Sequence, residues 1–512
     1  MTWFDTTPAD RRFLGSVLLF CAIAGCLSSL WCIYIDHVIN NDGVEYIRAA
    51  ERFALGDISG AFAIHQWPFF SALMWITAAL LGISYENAGY LLNTAFFTAS
   101  SVVFVLVVHA FGGRSRRLVM LAAFIAVLHP SFNEYRSYII RDAGYLLFYL
   151  LALLFFARRA ACPSIWSGVA AVAALALAAL FRIEGAVFLI AAPLLLVTSS
   201  TVGARQPWRD LVLLIGSTVT VAVVLGWWLL APKHGMPAGD VADNPIGVVG
   251  SALDQVVATL SKKMAILRSE FLGAYSAEYA WALFVFAVGM LLVSATFTQL
   301  TIPWAVIVLG SIWFGVKFPL KPLNRLWLSL VGMHLAILLV FTVINLFLAA
   351  RYPLALAITI LILGPFAMDR VFEMTTWRRL RGIPRVLAVV LVLWGIGESV
   401  SGLDNATRAE AIKGAGLWLA PQAESPGSVI TNDRRIAYYA GRHWDRDSIE
   451  PSVSKILHGL RDGHWPEAKF VALRLSRADK KTHDWVVEAL GGSPVRTFDY
   501  DSGDRVLIYI RP

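Results

Sequence analysis

The stretch "NNDGVEYIRAA" (40–50) puts two carboxylates, Asp42 and Glu45, directly behind the apolar run 13–35. An ionisable group where a chain leaves a bilayer costs little if solvated and can do chemistry if it faces a cavity. The same placement recurs along the sequence. His65 lies in "HQWP" (65–68); Glu134, Arg136, Arg141 and Asp142 in "NEYRSYIIRD" (133–142); Arg182 and Glu184 in "FRIEG" (181–185); Arg351 and Tyr352 in "ARYP" (350–353). Carboxylates there supply a general base, and guanidinium forks supply a clamp for phosphate. One charge at a helix end is ordinarily just solvated or paired. The gathering of both kinds at several run ends is what points to a site.

The elements that must present these residues are membrane helices. Hydrophobic residues make up 58% of the 512-residue chain and charged ones 15%, with 18 Trp and 30 Phe. A soluble protein could not hide that much apolar surface. Several runs reach the roughly 20 residues needed to cross a bilayer core. The net charge of +8 therefore reads as loop charge under the positive-inside rule, and no nucleic-acid partner is expected. Cys21, Cys26 and Cys32 fall in the first apolar run and no cysteine follows Cys162, so no disulfide framework is implied for the polar C-terminal part. "IAGC" (23–26) behind Arg11 and Arg12 looks like a lipoprotein processing site, but the apolar run continues to about residue 35, which suits an uncleaved anchor better.

Arg11 and Arg12 hold the N-terminus inside, so the span 13–35 delivers Asp42 to the outer face. Residues 45–57 have helical spacing of Tyr46, Ile47, Ala50 and Phe53 and read as a helix lying on the membrane surface. The apolar stretch 67–83 is short and begins at Pro68. "GGRSRR" (112–117) should be cytoplasmic and 86–111 crosses to it, so 67–83 reads as partly immersed. Spans 118–132, 143–157, 165–180, 186–200 and 211–231 alternate after it, followed by a long outer loop over 232–278. The basic segments "KFPLKPLNR" (317–325) and 369–385 both look cytoplasmic and flank a hairpin, 326–368, with "ARYP" at its outer tip. That arrangement requires an odd number of crossings in 279–316, a segment long enough for two. Hydropathy alone leaves the count open.

After a last span, 386–402, pieces such as "GSVITNDRRIAYYAGR", "AKFVALRLSR" and "KKTHDWVVEALGG" alternate strand-like and helix-like patterns. The expected fold class is an α-helical polytopic membrane protein of about 11–13 spans with outer juxtamembrane helices, plus a small C-terminal α/β soluble domain. The expected domains are 1–402 and 403–512, the second on the periplasmic side.

"NDGVEYIRAAERFALGD" after a first span resembles the first outer loop of the C-type glycosyltransferases, the membrane-embedded enzymes that use polyprenyl-phosphate sugars, and in particular the protein O-mannosyltransferase and lipid A aminoarabinose transferase group. Asp42 and Tyr46 match that family's acid and the Tyr four places on. "HQWPFFSALMWI" is similar to its Pro-containing apolar segment. "YRSYIIRDAGYLLFYLLALLFF" resembles its second outer loop, with Asp142 at the acid. "ALFRIEGAVFLIAAPLLL" resembles its "TRPEG"-like hairpin and "LAARYPLALAITIL" its Arg-Tyr-Pro motif. The resemblance covers roughly 13–368. It departs at Gly43, where a Glu often follows the acid, and at His65, Gln66 and Trp67, where some relatives carry Lys-Pro-Pro.

The resemblance implies transfer of a sugar, with inversion, from a polyprenyl-phosphate carrier to an acceptor hydroxyl at the periplasmic face of a bacterial inner membrane. Asp42 would be the general base. Asp142 would hold the acceptor, orient a cation such as Arg141, or bind a divalent metal. Arg351, helped by Arg141, Arg182 and His65, would contact the carrier phosphate, with Tyr46, Arg136, Glu184 and Tyr352 also lining the substrate site. The acceptor is open among glycan, lipid and protein. No cofactor is implied beyond the lipid-linked donor, and no compact His/Cys cluster suggests a structural zinc site. Two rivals remain: a ligase or polymerase of lipid-linked O-antigen, and a flippase for a lipid-linked sugar, which would place acids near the midplane and show repeated halves.

Overall fold

The computed structural model describes residues 8–198, 208–230, 257–273, 275–313, 315–376, 382–404, 409–423, 425, 427–441, 449–476, 480–499 and 504–511. Much of the outer loop expected over 232–278, and the basic stretches 199–207 and 377–381, lie outside the described residues. The chain forms two compact units. One holds Met1–Ser28, Ala95–Tyr135 and Arg141–Leu403; the other holds Ser29–Thr94, Arg136–Ile140 and Asp404–Pro512.

The first unit is a helical membrane bundle. Among the described residues, six helices are long and apolar enough to cross a bilayer, and five further apolar helices are of 10–17 residues. The long first helix, α1 (Pro8–Ile35), shows Leu19, Phe20 and Leu27 on its surface, as a lipid-facing helix must. Enclosure varies along the bundle. Only 22% of the span Ala277–Leu300 is buried, against 72% of Asp142–Ala161. The most enclosed helices therefore include the one that begins at a candidate acid.

Close backbone approach sets the geometry around that helix, α8 (Asp142–Ala161), and its neighbours α9 (Ile165–Phe181) and α10 (Ile183–Thr198). A Cβ at Gly144 would collide with the Phe181 ring, and one at Gly185 would fall on the backbone of Ala178 and Ala179. Glycine at 185 lets α10 start one residue after α9 ends, with Arg182 alone in the turn. The expected five-residue outer turn is thus tighter in the structure, because helix resumes as soon as that residue has been passed.

The segment 279–316 resolves into α12 (Ala280–Leu300) and α13 (Ile302–Trp313), broken at Thr301, whose φ is 56°. Ala280, Phe284 and Val288 cluster with Val343 near the end of α14 (Lys321–Asn345). At the other extreme, Ile312 shares a cavity with Lys321 and Arg325 at the start of α14. The two pieces together make a single net traverse, antiparallel to α14. A helix end inside an apolar bundle must satisfy its freed carbonyls. Here the Ser131 hydroxyl donates to the Gln299 carbonyl at 2.5 Å, and His129 Nε2 lies 3.2 Å from the Leu300 carbonyl.

The second unit combines the segment after α1 with the C-terminal part. Its first half holds α2 (Asn41–Ala54), α3 (Ile58–Ile64) and α4 (Phe69–Leu81). At 13 residues, α4 is about 20 Å long, too short to cross a bilayer core, and it packs along α2 through Tyr46–Phe70 and Phe53–Trp75 ring contacts. The C-terminal half is a mixed sheet in the order β1 (Val429–Thr431), β2 (Phe470–Ser476), β4 (Asp504–Ile510), β3 (Arg496–Asp499), with only β1–β2 parallel. Strand alternation sends Phe470, Ala472, Val506 and Ile508 to one face. There they meet α18 (Glu410–Leu419) and α19 (Arg434–Tyr439). Val471, Leu473, Leu507 and Tyr509 go to the other, against α20 (Val453–Arg461) and α21 (Lys480–Leu490). Val38, just past α1, is part of the first of these cores.

Candidate active site

In the second unit the site is built on α2. Its buried residues Gly43, Val44, Tyr46, Ile47, Ala49 and Ala50 repeat at helical spacing, which gives the helix one inward face. Asp42 stands half-buried in the first turn, where the helix dipole favours a carboxylate. Tyr46 follows one turn later on the same side, its ring 4.9 Å from His65 and edge-on to Phe70. His65 is itself fixed, because its Nδ1 accepts from the Trp67 N–H at 3.1 Å.

The N-cap of α2, Asn40, does not cap with its side chain. It spends the amide on Ile139, accepting from the Ile139 N–H at 2.8 Å and donating to its carbonyl at 3.3 Å. This ties 136–140 to the start of the helix and explains Gly43. A Cβ there would lie 2.8 Å from Ile39 and 3.2 Å from Ile139, so the Glu seen at this place in the family that the sequence resembles has no room. Arg136 is fully buried and donates to Ser29 at 2.8 Å, a strut inside the same unit.

Residues that sequence reasoning missed surround this helix from the C-terminal half. Arg434 pairs with Glu45. The Tyr438 hydroxyl donates to Glu86 at 2.9 Å, and the Ile39 N–H donates to the Tyr439 hydroxyl at 2.9 Å. Asp433 caps α19 and is held by Arg435 at 2.7 Å and Arg474 at 3.3 Å. Nothing local marks these partners, since they meet only through long-range packing. A polar cavity of about 420 Å³, with Asn41, Asn432, Arg434, Arg474 and Asp504 in its wall, opens at the carboxyl ends of β1 and β2. Crevices at such strand ends commonly bind ligands in α/β sheets. A second cavity, of about 730 Å³, combines Trp75, Tyr85 and Tyr438 with Glu51 and Glu86, a mixture of aromatic faces and carboxylates suited to polyhydroxylated ligands.

In the first unit the candidate cations and acids converge on Arg182. Its guanidinium is buried and paired with both Asp142 and Glu184, and the Arg182–Glu184 contact is bidentate. The rings of Tyr352 and Tyr145 lie 5.2 and 5.7 Å from it. Arg351 also approaches the Tyr352 ring, at 5.8 Å. The structure thus joins Asp142, Arg182, Glu184, Arg351 and Tyr352, drawn from three separate sequence motifs. Arg141, at the N-cap of α8, is half-exposed. Glu134 accepts from Gln299 at 3.0 Å; burial pushes its carboxyl up and that hydrogen bond opposes the shift. Among the described residues, no group of three or more His, Cys, Asp or Glu side chains is arranged to hold a metal ion.

An oligosaccharyltransferase of Archaeoglobus fulgidus, crystallised tethered through a disulfide bond to an acceptor peptide containing the NVT sequon, shares the fold. The TM-score is 0.52 over 96% of this chain and 72% of that one, at 13% identity. No protein-family model matches the chain, and no curated protein matches it significantly in sequence. At that identity the likeness is one of fold.

Proposed function

We propose that this multi-pass membrane protein is a glycosyltransferase that moves a sugar from a polyprenyl-phosphate carrier to an acceptor hydroxyl, with inversion, at the periplasmic face of a bacterial inner membrane. The observation that carries the reading is Asp42: a half-buried carboxylate in the first turn of a juxtamembrane helix, directly after the first span, in a chain that shares the fold of a membrane oligosaccharyltransferase.

In this reading the acceptor oxygen attacks the anomeric carbon and its proton passes to the Asp42 carboxylate. The bond from the anomeric carbon to the carrier oxygen breaks, and its electron pair leaves with the lipid phosphate. The charge that gathers there calls for guanidinium or ammonium donors at the carrier phosphate. Arg182, engaged by two carboxylates, serves to fix Tyr352 and with it the approach to Arg351. Asp142 acts through Arg182, a role close to the cation-orienting one expected from sequence, with Arg182 as the partner. The C-terminal half lies on the same face as Asp42 and helps choose the acceptor; its ion pair and hydrogen bonds to residues 39–86 support this. Charges grouped at helix ends favour a transferase over a flippase.

The test is mass spectrometry of envelope glycans and glycolipids in a deletion strain complemented with wild type or Asp42→Asn. A glycan lost on deletion, regained with wild type and not with Asp42→Asn, supports the reading. An unchanged glycan profile on deletion overturns it.

A further inference from the structure

At the opposite end of the bundle from Arg351 lies a cavity of about 850 Å³ that the proposed reaction does not use. Its wall is apolar: Phe318, Pro322, Trp327, Leu328 and Leu363 line it, and Leu328 is 61% exposed. Its rim carries Lys317, Lys321 and Arg325, and among the described residues that line it there is no carboxylate. The same end holds the basic turn 112–117, since Phe111 packs on Phe318 at 4.8 Å and Arg117 pairs with Asp369.

The loop that forms the rim is built. Asn324 clamps it with two hydrogen bonds, accepting from the Phe318 N–H at 3.0 Å and donating to the Phe318 carbonyl at 2.9 Å. Trp327, at the deep end, is fixed by its indole N–H donating to the Thr359 carbonyl at 2.8 Å. Asp369 and Glu373, which share an adjoining cavity with Lys317, are engaged by Arg117 and Arg370. Topology signals alone would need only loop charge. Here three cations stand over an apolar slot.

We infer that this cavity binds an anionic phospholipid of the surrounding bilayer, its phosphate at Lys317, Lys321 and Arg325 and an acyl chain along Trp327, Leu328 and Leu363. Charge complementarity chooses the occupant: a headgroup with net negative charge matches a rim of three cations, while the slot behind it takes hydrocarbon. The positive-inside rule assigns this end to the cytoplasmic leaflet. The inference rests on the membrane fold and stands apart from the proposed reaction.

Native mass spectrometry of the full-length chain in detergent tests it, with phosphatidylglycerol, phosphatidylcholine and a polyprenyl phosphate titrated separately onto wild type and a Lys317→Gln/Lys321→Gln/Arg325→Gln variant. Each cation near an anionic headgroup contributes about fivefold in affinity, so the triple change should weaken phosphatidylglycerol retention by about a hundredfold. Phosphatidylcholine should bind both proteins weakly and alike. Equal phosphatidylglycerol retention by both proteins, or selective binding of the polyprenyl phosphate at this site, overturns the assignment. Should the triple variant not fold, a Lys317→Arg/Lys321→Arg variant must keep the lipid. In wild type, retention must fall as salt rises; salt-independent retention overturns the proposal without any variant.

Discussion

Glu45 in α2 and Arg434 in α19 form an ion pair across 389 residues of sequence. Both side chains keep partial exposure, 27% and 41%, so the pair itself contributes about 1 kcal/mol at most. Its value is positional. In a cysteine-free background, Glu45→Cys combined with Arg434→Cys should be joined by a bifunctional thiol reagent whose spacer matches the two side chains removed, and neither single variant should be. Single cysteines at Ser425 and Ser452 should react with a membrane-impermeant thiol reagent once the outer membrane is permeabilised. Labelling that appears only after the inner membrane is broken would place the C-terminal half on the cytoplasmic side and remove it from acceptor selection.

Asp42→Asn keeps size and hydrogen bonding but cannot take the proton. Turnover of a polyprenyl-phosphate sugar by the purified variant should fall roughly 10²–10⁴-fold, with unfolding temperature unchanged. Near-normal transfer would assign the base elsewhere.

Asp142→Ala leaves a buried guanidinium short of one partner. Breaking a buried ion pair costs about 3–5 kcal/mol, and because Glu184 remains bound to Arg182 a loss near the lower end, about 3 kcal/mol, is expected. A cycle with Arg182→Leu should show strong coupling, since removing both charges leaves neither stranded. Additive losses would mean the pair does not act as a unit. Arg351→Lys should impair transfer although charge is kept, because a point charge does not reproduce the planar fork. A normal KM for the lipid donor in Arg351→Ala would make Arg351 structural.

Asp433 gives the C-terminal half an acid limit. Burial works against its charge, but hydrogen bonds and charge from Arg435, with Arg474 beyond, hold the carboxyl below the usual carboxylate range. With the folded value depressed, the stabilisation is full above the unfolded value of about 4 and is lost as pH falls through the folded one. Asp433→Asn should lower stability at pH 7 and flatten the acid side of the stability profile. An unchanged acid limb in that variant would assign it to other carboxylates.

The apolar runs, the amphipathic helix after the first span and the shortness of the helix within 67–83 could all be read from sequence, because length and helical spacing are local properties. The odd traverse in 279–316 could be inferred only from its flanks; its cause, a break at Thr301 sealed by His129 and Ser131, depends on side chains more than 160 residues away. The motifs named the members of the Arg182 cluster but not their pairing: orienting a cation such as Arg141 was one of three roles left open for Asp142, and the ion pair it makes is with Arg182 from the next hairpin. Gly43 reads as a departure until Ile139 is seen filling the space beside it.

The placing of Val38 in the core of the terminal sheet, with the Ile39 N–H bonded to a hydroxyl 400 residues later, has a consequence for biosynthesis. A ribosome adding about 5–20 residues per second needs roughly 20–80 s to make that stretch. Throughout that interval residues 29–94 have left the ribosome without the half that completes their core. Nascent chains arrested at residue 404 should therefore be cut by protease within 29–94 at sites that the finished protein protects. Equal protection in both would mean that this segment folds on its own. Residues made about 400 positions later complete the neighbourhood of the helix that carries Asp42, so a chain terminated between the two carries an exposed defect within 29–94, where proteolytic surveillance can find it.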